Sequence, residues 1–306
     1  MKKIPIILTL SIIVLALGLL QSPTLTGDWI FFHCFSYPNT RTDYVVRPDG
    51  SEIIEITRLD DVNYRQFLIS DGQNLLYVQH GNLYIRSISN HLSHRLFSEI
   101  AYIGDFAYAS ESDQVFLYMS NGDRLFNQLQ GNWGVYIFSN YKDFQLQGSF
   151  SHSDSTDLNG FVVSNSGAIW VGIYKTRLDI RNLNTDTEKT IELNLLDWQY
   201  PEYVNISHNG KFVTYLTRTP EKPFEEEYNG FIVDLDKELI IKSVDIAPLS
   251  GIIWSSNDEK IAYAEHDYSN SLEPYSIIIS DRNGVDPHRI INLPCRPYLS
   301  SWVDLS

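Results

Sequence analysis

The sequence predicts an all-β fold, a single six-bladed β-propeller, from its composition, a repeated strand phrase and complementary strands at its two ends. Aromatic residues make up 13% of the 306 residues, with 19 Tyr and 15 Phe. Aromatic and β-branched side chains pack well on pleated, half-buried surfaces, so this composition favours strands. The roughly 280 residues after the N-terminal apolar run match the size at which an all-β fold forms one domain.

A phrase of strand, polar turn and second strand repeats along the chain. Its clearest copy is Trp254-Ser255-Ser256-Asn257-Asp258-Glu259-Lys260-Ile261-Ala262-Tyr263, and further copies occupy residues 67–78, 106–118, 161–171 and 204–215. The turns recur at intervals of about 41 to 54 residues, the length of a four-stranded propeller blade. The longest interval contains the polar stretch from Asn140 to Asn159, which predicts an extended loop in the third blade.

The two ends of the chain together supply the sixth blade. Residues 29–32, 44–46 and 53–56 have the pattern of second, third and fourth strands with no first strand before them. Residues 299–304 have the pattern of a first strand with no second strand after it. Pairing these segments completes a blade and leaves the ring without an unpaired sheet edge, so we expect five blades and one shared blade.

Residues 1–22 have the order of an export signal, because Lys2 and Lys3 precede an apolar run from Ile4 to Leu20 that no charged residue interrupts. The run lacks small residues at a cleavage site and is short for a membrane span, so a cleaved signal peptide and a retained anchor over residues 4–20 both stay open. We expect an exported protein, periplasmic, on the cell surface or secreted, with the propeller over residues 28–306.

The formal net charge of −15 argues against a nucleic-acid partner, since phosphate binding needs concentrated Lys and Arg. An acidic surface of this kind keeps a protein dispersed in solution.

Cys34 and Cys295 are the only cysteines. They lie beside the strands containing Trp29 and Trp302, which should be antiparallel neighbours in the closing blade. An exported chain meets oxidising conditions in many compartments, so we predict a disulfide that clips the ring shut. The alternative is two unpaired, buried thiols.

The phrase Trp254 to Tyr263 resembles the WD-like repeat of TolB-like propellers, Trp-Ser-Pro-Asp-Gly-Lys followed by Ile-Ala-Phe. Residues 44–50, Tyr-Val-Val-Arg-Pro-Asp-Gly, are similar to the Tyr-Val-Met-Asn-Pro-Asp-Gly of that family. The resemblance covers residues 28–306 and implies a free-standing extracytoplasmic propeller, with no room for the α/β domain that precedes the propeller in TolB. It specifies the fold better than the function.

Signatures of catalysis or metal binding are weak. Ser164-Asn165-Ser166-Gly167 lacks the first glycine of a nucleophile elbow and fits a blade turn. His91 and His94 have a metal-ligand spacing, and Ser155 to Gly160 is similar to the start of a calcium loop, but solvated turns explain both better. We expect no metal, no cofactor and no catalytic residue, and we interpret Glu225-Glu226-Glu227 as a solvated charge run.

The predicted function is a monomeric binding or scaffolding module that holds a protein partner or envelope component on one propeller face. The membrane would be contacted only through the N-terminal segment. The alternative is a carbohydrate-active propeller, which binds glycans or hydrolyses them with two carboxylates facing each other at about 5 to 9 Å. Asp105 and Glu202, near the starts of first strands, are the candidates for those carboxylates. Aromatic side chains that could stack on a sugar, or lie in the core, are Trp133, Trp170 and Trp198.

Overall fold

The computed structural model describes residues 25–36, 40–60, 66–69, 71–96, 102–120, 133–151, 158–196, 199–218, 228–242, 251–266, 272 and 274–305. These residues form 24 β-strands in six four-stranded sheets, which is the six-bladed all-β propeller that the sequence predicts. Within the same ranges no helix is long and apolar enough to cross a membrane. The predicted signal or anchor segment, residues 1–22, lies outside them.

Each blade is one antiparallel sheet whose strands follow each other in order, with blade 1 assembled from both ends of the chain. The blades consist of the following strands: blade 1, β24 (Pro297–Asp304), β1 (Asp28–Ser36), β2 (Thr40–Val46) and β3 (Ile53–Asp60); blade 2, β4 (Gln66–Leu68), β5 (Asn74–Gln79), β6 (Asn82–Ser87) and β7 (Ser93–Arg95); blade 3, β8 (Tyr102–Ala109), β9 (Gln114–Ser120), β10 (Trp133–Phe138) and β11 (Leu146–Ser151); blade 4, β12 (Gly160–Val163), β13 (Ile169–Ile173), β14 (Arg177–Asn182) and β15 (Thr187–Glu192); blade 5, β16 (Glu202–Ile206), β17 (Phe212–Arg218), β18 (Tyr228–Asp234) and β19 (Leu239–Lys242); blade 6, β20 (Ile253–Trp254), β21 (Lys260–His266), β22 (Tyr275–Asp281) and β23 (His288–Leu293).

Blade 1 closes the ring as predicted. Strand β24 pairs with β1 in a register that places Ile30 opposite Trp302, and reciprocal backbone hydrogen bonds between Gly27 and Leu305 continue the ladder. Cys34 and Cys295 form a disulfide, with their Cα atoms 5.7 Å apart. The predicted clip between the head and the tail of the chain is therefore confirmed.

The hydrophobic core lies between the facing surfaces of neighbouring blades. Ile30 and Phe32 of blade 1, for example, pack with Ile253 and Ile279 of blade 6, and Cys34 belongs to the same cluster. Alternate residues of a strand point to opposite faces of its sheet, and both faces of a blade are covered by a neighbour. The second strands are accordingly almost wholly apolar, with all four central residues of β5 buried.

The turns between first and second strands explain the repeated phrase. In blades 2 to 6 they contain Gly72, Asp113, Gly167, Gly210 and Asp258, each with a positive φ that glycine adopts most easily. Gly72, Gly167, Gly210 and Asp258 also lie against the preceding blade. A Cβ on Gly210 would lie 2.8 Å from Ile169 Cγ1 in blade 4.

In blade 6 an aspartate replaces glycine at this turn and makes the contact itself. The Asp258 carboxylate accepts hydrogen bonds from the backbone N–H groups of His208 and Asn209 in blade 5, at 2.7 and 2.9 Å. The turn phrases Ser-x-x-Gly, as in Ser207 to Gly210, and Ser-x-x-Asp, as in Ser255 to Asp258, therefore bring adjacent blades into register.

The expected extended loop from Asn140 to Asn159 is wrong in part, because β11, the fourth strand of blade 3, lies within it. Phe150 of β11 pairs with Val135, and its ring meets the Trp170 ring edge-on at 5.3 Å. An outer strand with one apolar anchor among polar residues lacks the hydrophobic alternation by which a sequence reveals strands.

The antiparallel order gives the propeller two distinct ends. The turn face carries the connections between first and second strands and between third and fourth strands. The loop face carries the opposite ends of the strands, and every first strand begins there.

Candidate functional site

The first strands of all six blades surround a central cavity of about 520 Å³. This volume is within the usual range for a small-molecule or peptide-end pocket. Each blade contributes side chains to the wall: Phe67, Tyr108, Phe161, Tyr203, Ile253 and Tyr298 are examples, one from each first strand. The cavity is the axial channel of the propeller, and the fold positions its walls rigidly.

His33 and Tyr298 occupy the wall near the loop face. Their rings stack with centroids 5.3 Å apart and an interplanar angle of 10°. His33 Nδ1 lies 3.5 Å from the Ser300 hydroxyl oxygen. Burial lowers the pKa of His33 well below its usual value, and the positive charge of Arg41 adds to this effect. The imidazole is therefore neutral at physiological pH.

Arg41 reaches the same wall from β2 and forms an ion pair with Asp43. Their Nε and Oδ1 atoms are 2.8 Å apart, and the side chains are 1% and 0% exposed. Burial lowers the pKa of Arg41, while the Asp43 carboxylate acts in the opposite direction. Removing two charges from water costs several kcal/mol each, so we regard this pair as a device for placing a guanidinium at the wall rather than for stability.

Tyr203 has an uncommon backbone conformation at the start of β16. Its φ is 50°, in the left-handed region that bulky side chains rarely adopt, and the ladder with β17 is irregular between Glu202 and Asn205. The Tyr203 ring meets the Tyr228 ring edge-on at 5.7 Å, and burial raises the pKa of the Tyr203 hydroxyl. Backbone strain of this kind concentrates at ligand sites.

His208 closes the wall at the turn face and ties three blades together. Its Nδ1 lies 3.3 Å from Asp258 Oδ1 in blade 6, and its Nε2 lies 3.0 Å from the Trp302 carbonyl oxygen in blade 1. His208, which belongs to blade 5, thus contacts both blade 6 and blade 1.

The two carboxylates considered for glycoside hydrolysis make structural contacts instead. Asp105 accepts hydrogen bonds from the backbone N–H groups of Phe106 at 2.9 Å and Phe161 at 3.2 Å, joining blades 3 and 4. Glu202 accepts from Arg218 Nε at 3.1 Å, and the Tyr228 hydroxyl donates to it at 3.3 Å. Neither lines the cavity, and no Asp or Glu occurs among its described wall residues.

Of the candidate stacking residues, Trp170 does not line the described wall. Trp170 is buried between blades 3 and 4. Trp198 and the Trp133 side chain lie outside what the structure describes, as do residues 152–157 of the calcium-like segment and Glu225 to Glu227.

The remaining motif residues lie in turns or outer strands. Ser164 to Gly167 forms the turn between β12 and β13. His91 and His94 are exposed on blade 2. In the described part of the chain no three His, Cys, Asp or Glu side chains cluster as metal ligands.

Sequence reasoning missed His33, Arg41, Asp43, Tyr203 and His208. Only His208 belongs to a short motif, the copy of the repeated phrase over residues 204–215. Each occupies a strand or turn where a polar or aromatic side chain is ordinarily solvent-facing, so only the curvature of the ring shows that four of them line one cavity, with Asp43 paired to Arg41 behind its wall.

Comparison with known proteins shows the fold alone. No family model matches the chain, and no curated protein matches it. TolB from Acinetobacter baumannii is 11% identical with a TM-score of 0.61, over 90% of this chain and 67% of that one. A putative TolB from Agrobacterium tumefaciens is 11% identical with a TM-score of 0.58, over 90% and 93%.

An oligogalacturonate lyase from Vibrio parahaemolyticus is 9% identical with a TM-score of 0.51, over 89% of this chain and 80% of that one. The predicted resemblance to TolB-like propellers is confirmed as a likeness of fold. Because an enzyme shares the same architecture at similar identity, the fold does not decide the function.

Proposed function

We propose that this chain is an extracytoplasmic binding module that holds a protein partner at the loop-face mouth of its channel. The observation that carries the proposal is the cavity of about 520 Å³, whose wall combines aromatic rings with a few polar groups and the Arg41 guanidinium. A rigid, concave, largely apolar site with a few placed polar groups is the usual form of a binding site.

The mouth at the loop face fits a protein partner. Tyr203 and Tyr298 stand at the beginnings of two first strands, and Tyr and Trp supply large contact areas at low entropic cost. Every first strand begins at this end, where a rigid ring can position residues against a partner. The disulfide supports an oxidising, extracytoplasmic compartment.

The test starts from the full chain, displayed in native membranes and used to isolate bound proteins. A purified partner should then bind the wild type and lose at least about tenfold in affinity with Tyr203→Asn combined with Tyr298→Ser, because both rings leave the mouth. Asparagine tolerates the left-handed backbone at position 203, so the loss would report the ring rather than a strained fold.

The matched control is Leu92→Ser, an exposed apolar side chain on the turn face, which should leave the affinity unchanged. Equal binding by wild type and the double variant would refute a partner at this mouth. Selective binding of the wild type to a glycan array, with no protein partner, would favour the carbohydrate alternative.

A further inference from the structure

One position of the blade repeat is apolar and exposed around the ring. The residue that pairs with the end of the third strand, where the fourth strand starts, is defined by register or by a backbone hydrogen bond in each blade. It is Ile53, Leu92, Leu146, Thr187, Leu239 and Val285 in blades 1 to 6. Because the third-to-fourth connections all lie at the turn face, these residues form one ring at its outer rim; we name them the rim residues.

Five of the six rim residues are large hydrophobic side chains open to solvent. Ile53 is 42% exposed, Leu92 and Leu146 are 57% exposed, and Leu239 and Val285 are 52% exposed. They account for five of the eight exposed large hydrophobic residues in the described part of the chain. Single apolar residues on a surface are ordinary, but recurrence at one equivalent position in five blades is not.

The N-terminal segment joins the propeller at the same face. Strand β1 begins at the turn face, and Leu25 just before it is buried beside Gly72 in the first turn of blade 2. The apolar run from Ile4 to Leu20 therefore ends only a few residues before Leu25, at the face that carries the rim residues. If that run is held in a bilayer, its short connection to Leu25 keeps the turn face close to the membrane surface.

We propose that the turn face rests on the lipid bilayer, with the apolar rim residues inserted among the headgroups. This inference goes beyond the proposed function and rests on retention of residues 4–20 as a membrane anchor. Tethering raises the effective concentration of the rim at the surface, so several shallow apolar contacts act together. The loop-face mouth would then point away from the membrane.

The chemistry of the rim selects the kind of lipid. Glu52, Glu238 and Asp286 adjoin three of the rim residues, and basic side chains lie 3.7 and 3.8 Å from the first two carboxylates, so the rim itself carries little excess positive charge. The whole chain has a formal net charge of −15, which anionic headgroups repel, so the fitting surface is an uncharged, zwitterionic one such as phosphatidylcholine. A second copy of this chain is the competing occupant, but five separated side chains between charged turns provide no continuous apolar patch for a dimer.

The experiment reconstitutes the full chain in phosphatidylcholine nanodiscs that contain a diazirine-bearing phosphatidylcholine. Photolysis followed by peptide mass spectrometry maps the lipid adducts. We expect adducts in residues 4–20 and in peptides with the rim residues. In a variant with Ile53→Thr, Leu92→Ser, Leu146→Thr, Leu239→Thr and Val285→Ser the rim adducts should fall about tenfold, since the apolar contacts are gone.

Two further variants make the result specific. Leu196→Ser with Tyr200→Ser removes exposed apolar side chains from the loop face and should leave the rim adducts unchanged. Thr187→Leu completes the ring and should add labelling in blade 4, without the folding risk of the fivefold variant. Melting temperatures of all variants identify any that are misfolded.

Adducts confined to residues 4–20, adducts at Leu196 and Tyr200, or no adducts at all would overturn the proposal. So would a dimer crosslinked through the rim residues. Partner binding by the fivefold variant remains a separate measurement, so failure of the lipid contact and failure of the proposed function are distinguishable.

Discussion

At the scale of single residues, the turns between first and second strands set how closely neighbouring blades approach. Gly210 has a φ of 73°, and a side chain there would meet both Ile169 and Ser164 of blade 4. The position combines a backbone that favours glycine with a tight contact between blades.

Gly210→Ala should lower the free energy of unfolding by about 1–3 kcal/mol, because the methyl group strains the backbone and crowds the contact between blades 4 and 5. Urea denaturation measures the change. Gly148→Ala is the matched control, since nothing lies within 4 Å of its Cβ position and its φ is not positive. Equal losses of stability from the two substitutions would contradict a tight contact between blades 4 and 5 at Gly210.

His33 couples the channel to pH. Burial and Arg41 lower its pKa in the folded state, whereas the unfolded chain keeps a value near 6.5. As the pH falls below about 6.5, the unfolded state takes up a proton that the folded state does not, so stability falls. The slope contributed by this one group is at most about 1.4 kcal/mol per pH unit.

His33→Gln should therefore lose less stability than the wild type between pH 7 and pH 5 in urea denaturation. His94→Gln, at an exposed position, should behave as the wild type does. Equal losses of stability in the wild type and in His33→Gln over this interval would contradict the lowered pKa of His33.

At the scale of elements, β24 is the strand on which closure depends. It pairs with β1 along most of its length and contacts β4 and β20, the first strands of both neighbouring blades. Without it, β1 would expose an unpaired edge, and the channel wall would be missing one sixth of its circumference.

Deletion of residues 296–306 should abolish the cooperative thermal transition, because blades 2 and 6 would each lose a covering face. Circular dichroism during heating measures this. The control is Asp304→Asn, a substitution at an exposed position of the same strand, which should leave the transition intact. A truncated chain as heat-resistant as the full chain would overturn the closure.

The elements that the sequence predicted, and those it did not, differ in one physical respect. Second and third strands are recognisable in the sequence as apolar runs because both of their faces are buried. The turns are recognisable because glycine or aspartate is needed at positive φ. Strands β7 and β11 are exposed outer strands whose pairing leaves little hydrophobic pattern. The cysteines were predictable because closure alone brings Cys34 and Cys295 together.

The channel was harder to predict than the strands. Alternation distinguishes the two faces of a strand but not a polar residue in water from one at a buried wall, as Arg41 and Asp43 show. Asp105 and Glu202 are the candidates for the paired carboxylates of the carbohydrate alternative because they lie near strand starts, yet backbone N–H groups and Arg218 donate hydrogen bonds to them.

At the scale of the whole molecule, the disulfide spans 261 residues and joins the two halves of the closing blade. In the chain-entropy model a loop of this length is stabilised by about 5 kcal/mol at most. The bond constrains the unfolded chain more than it holds the folded ring, whose strands pair without it.

Reduction should therefore lower the free energy of unfolding by up to about 5 kcal/mol and leave the propeller folded. Denaturation with and without dithiothreitol measures the difference. The Cys34→Ser, Cys295→Ser double variant should match the reduced wild type and ignore the reductant. A double variant as stable as the oxidised wild type would show that the bridge contributes nothing.

The hydrogen bonds between Gly27 and Leu305 place the two ends of the propeller side by side. A short peptide fused across this gap would permit circular permutation, with new termini cut into any other turn between a first and a second strand, such as that at Lys211. All of these turns lie at one end of the ring. Such permutants would move a fused tether from one blade to another while keeping it on the turn face.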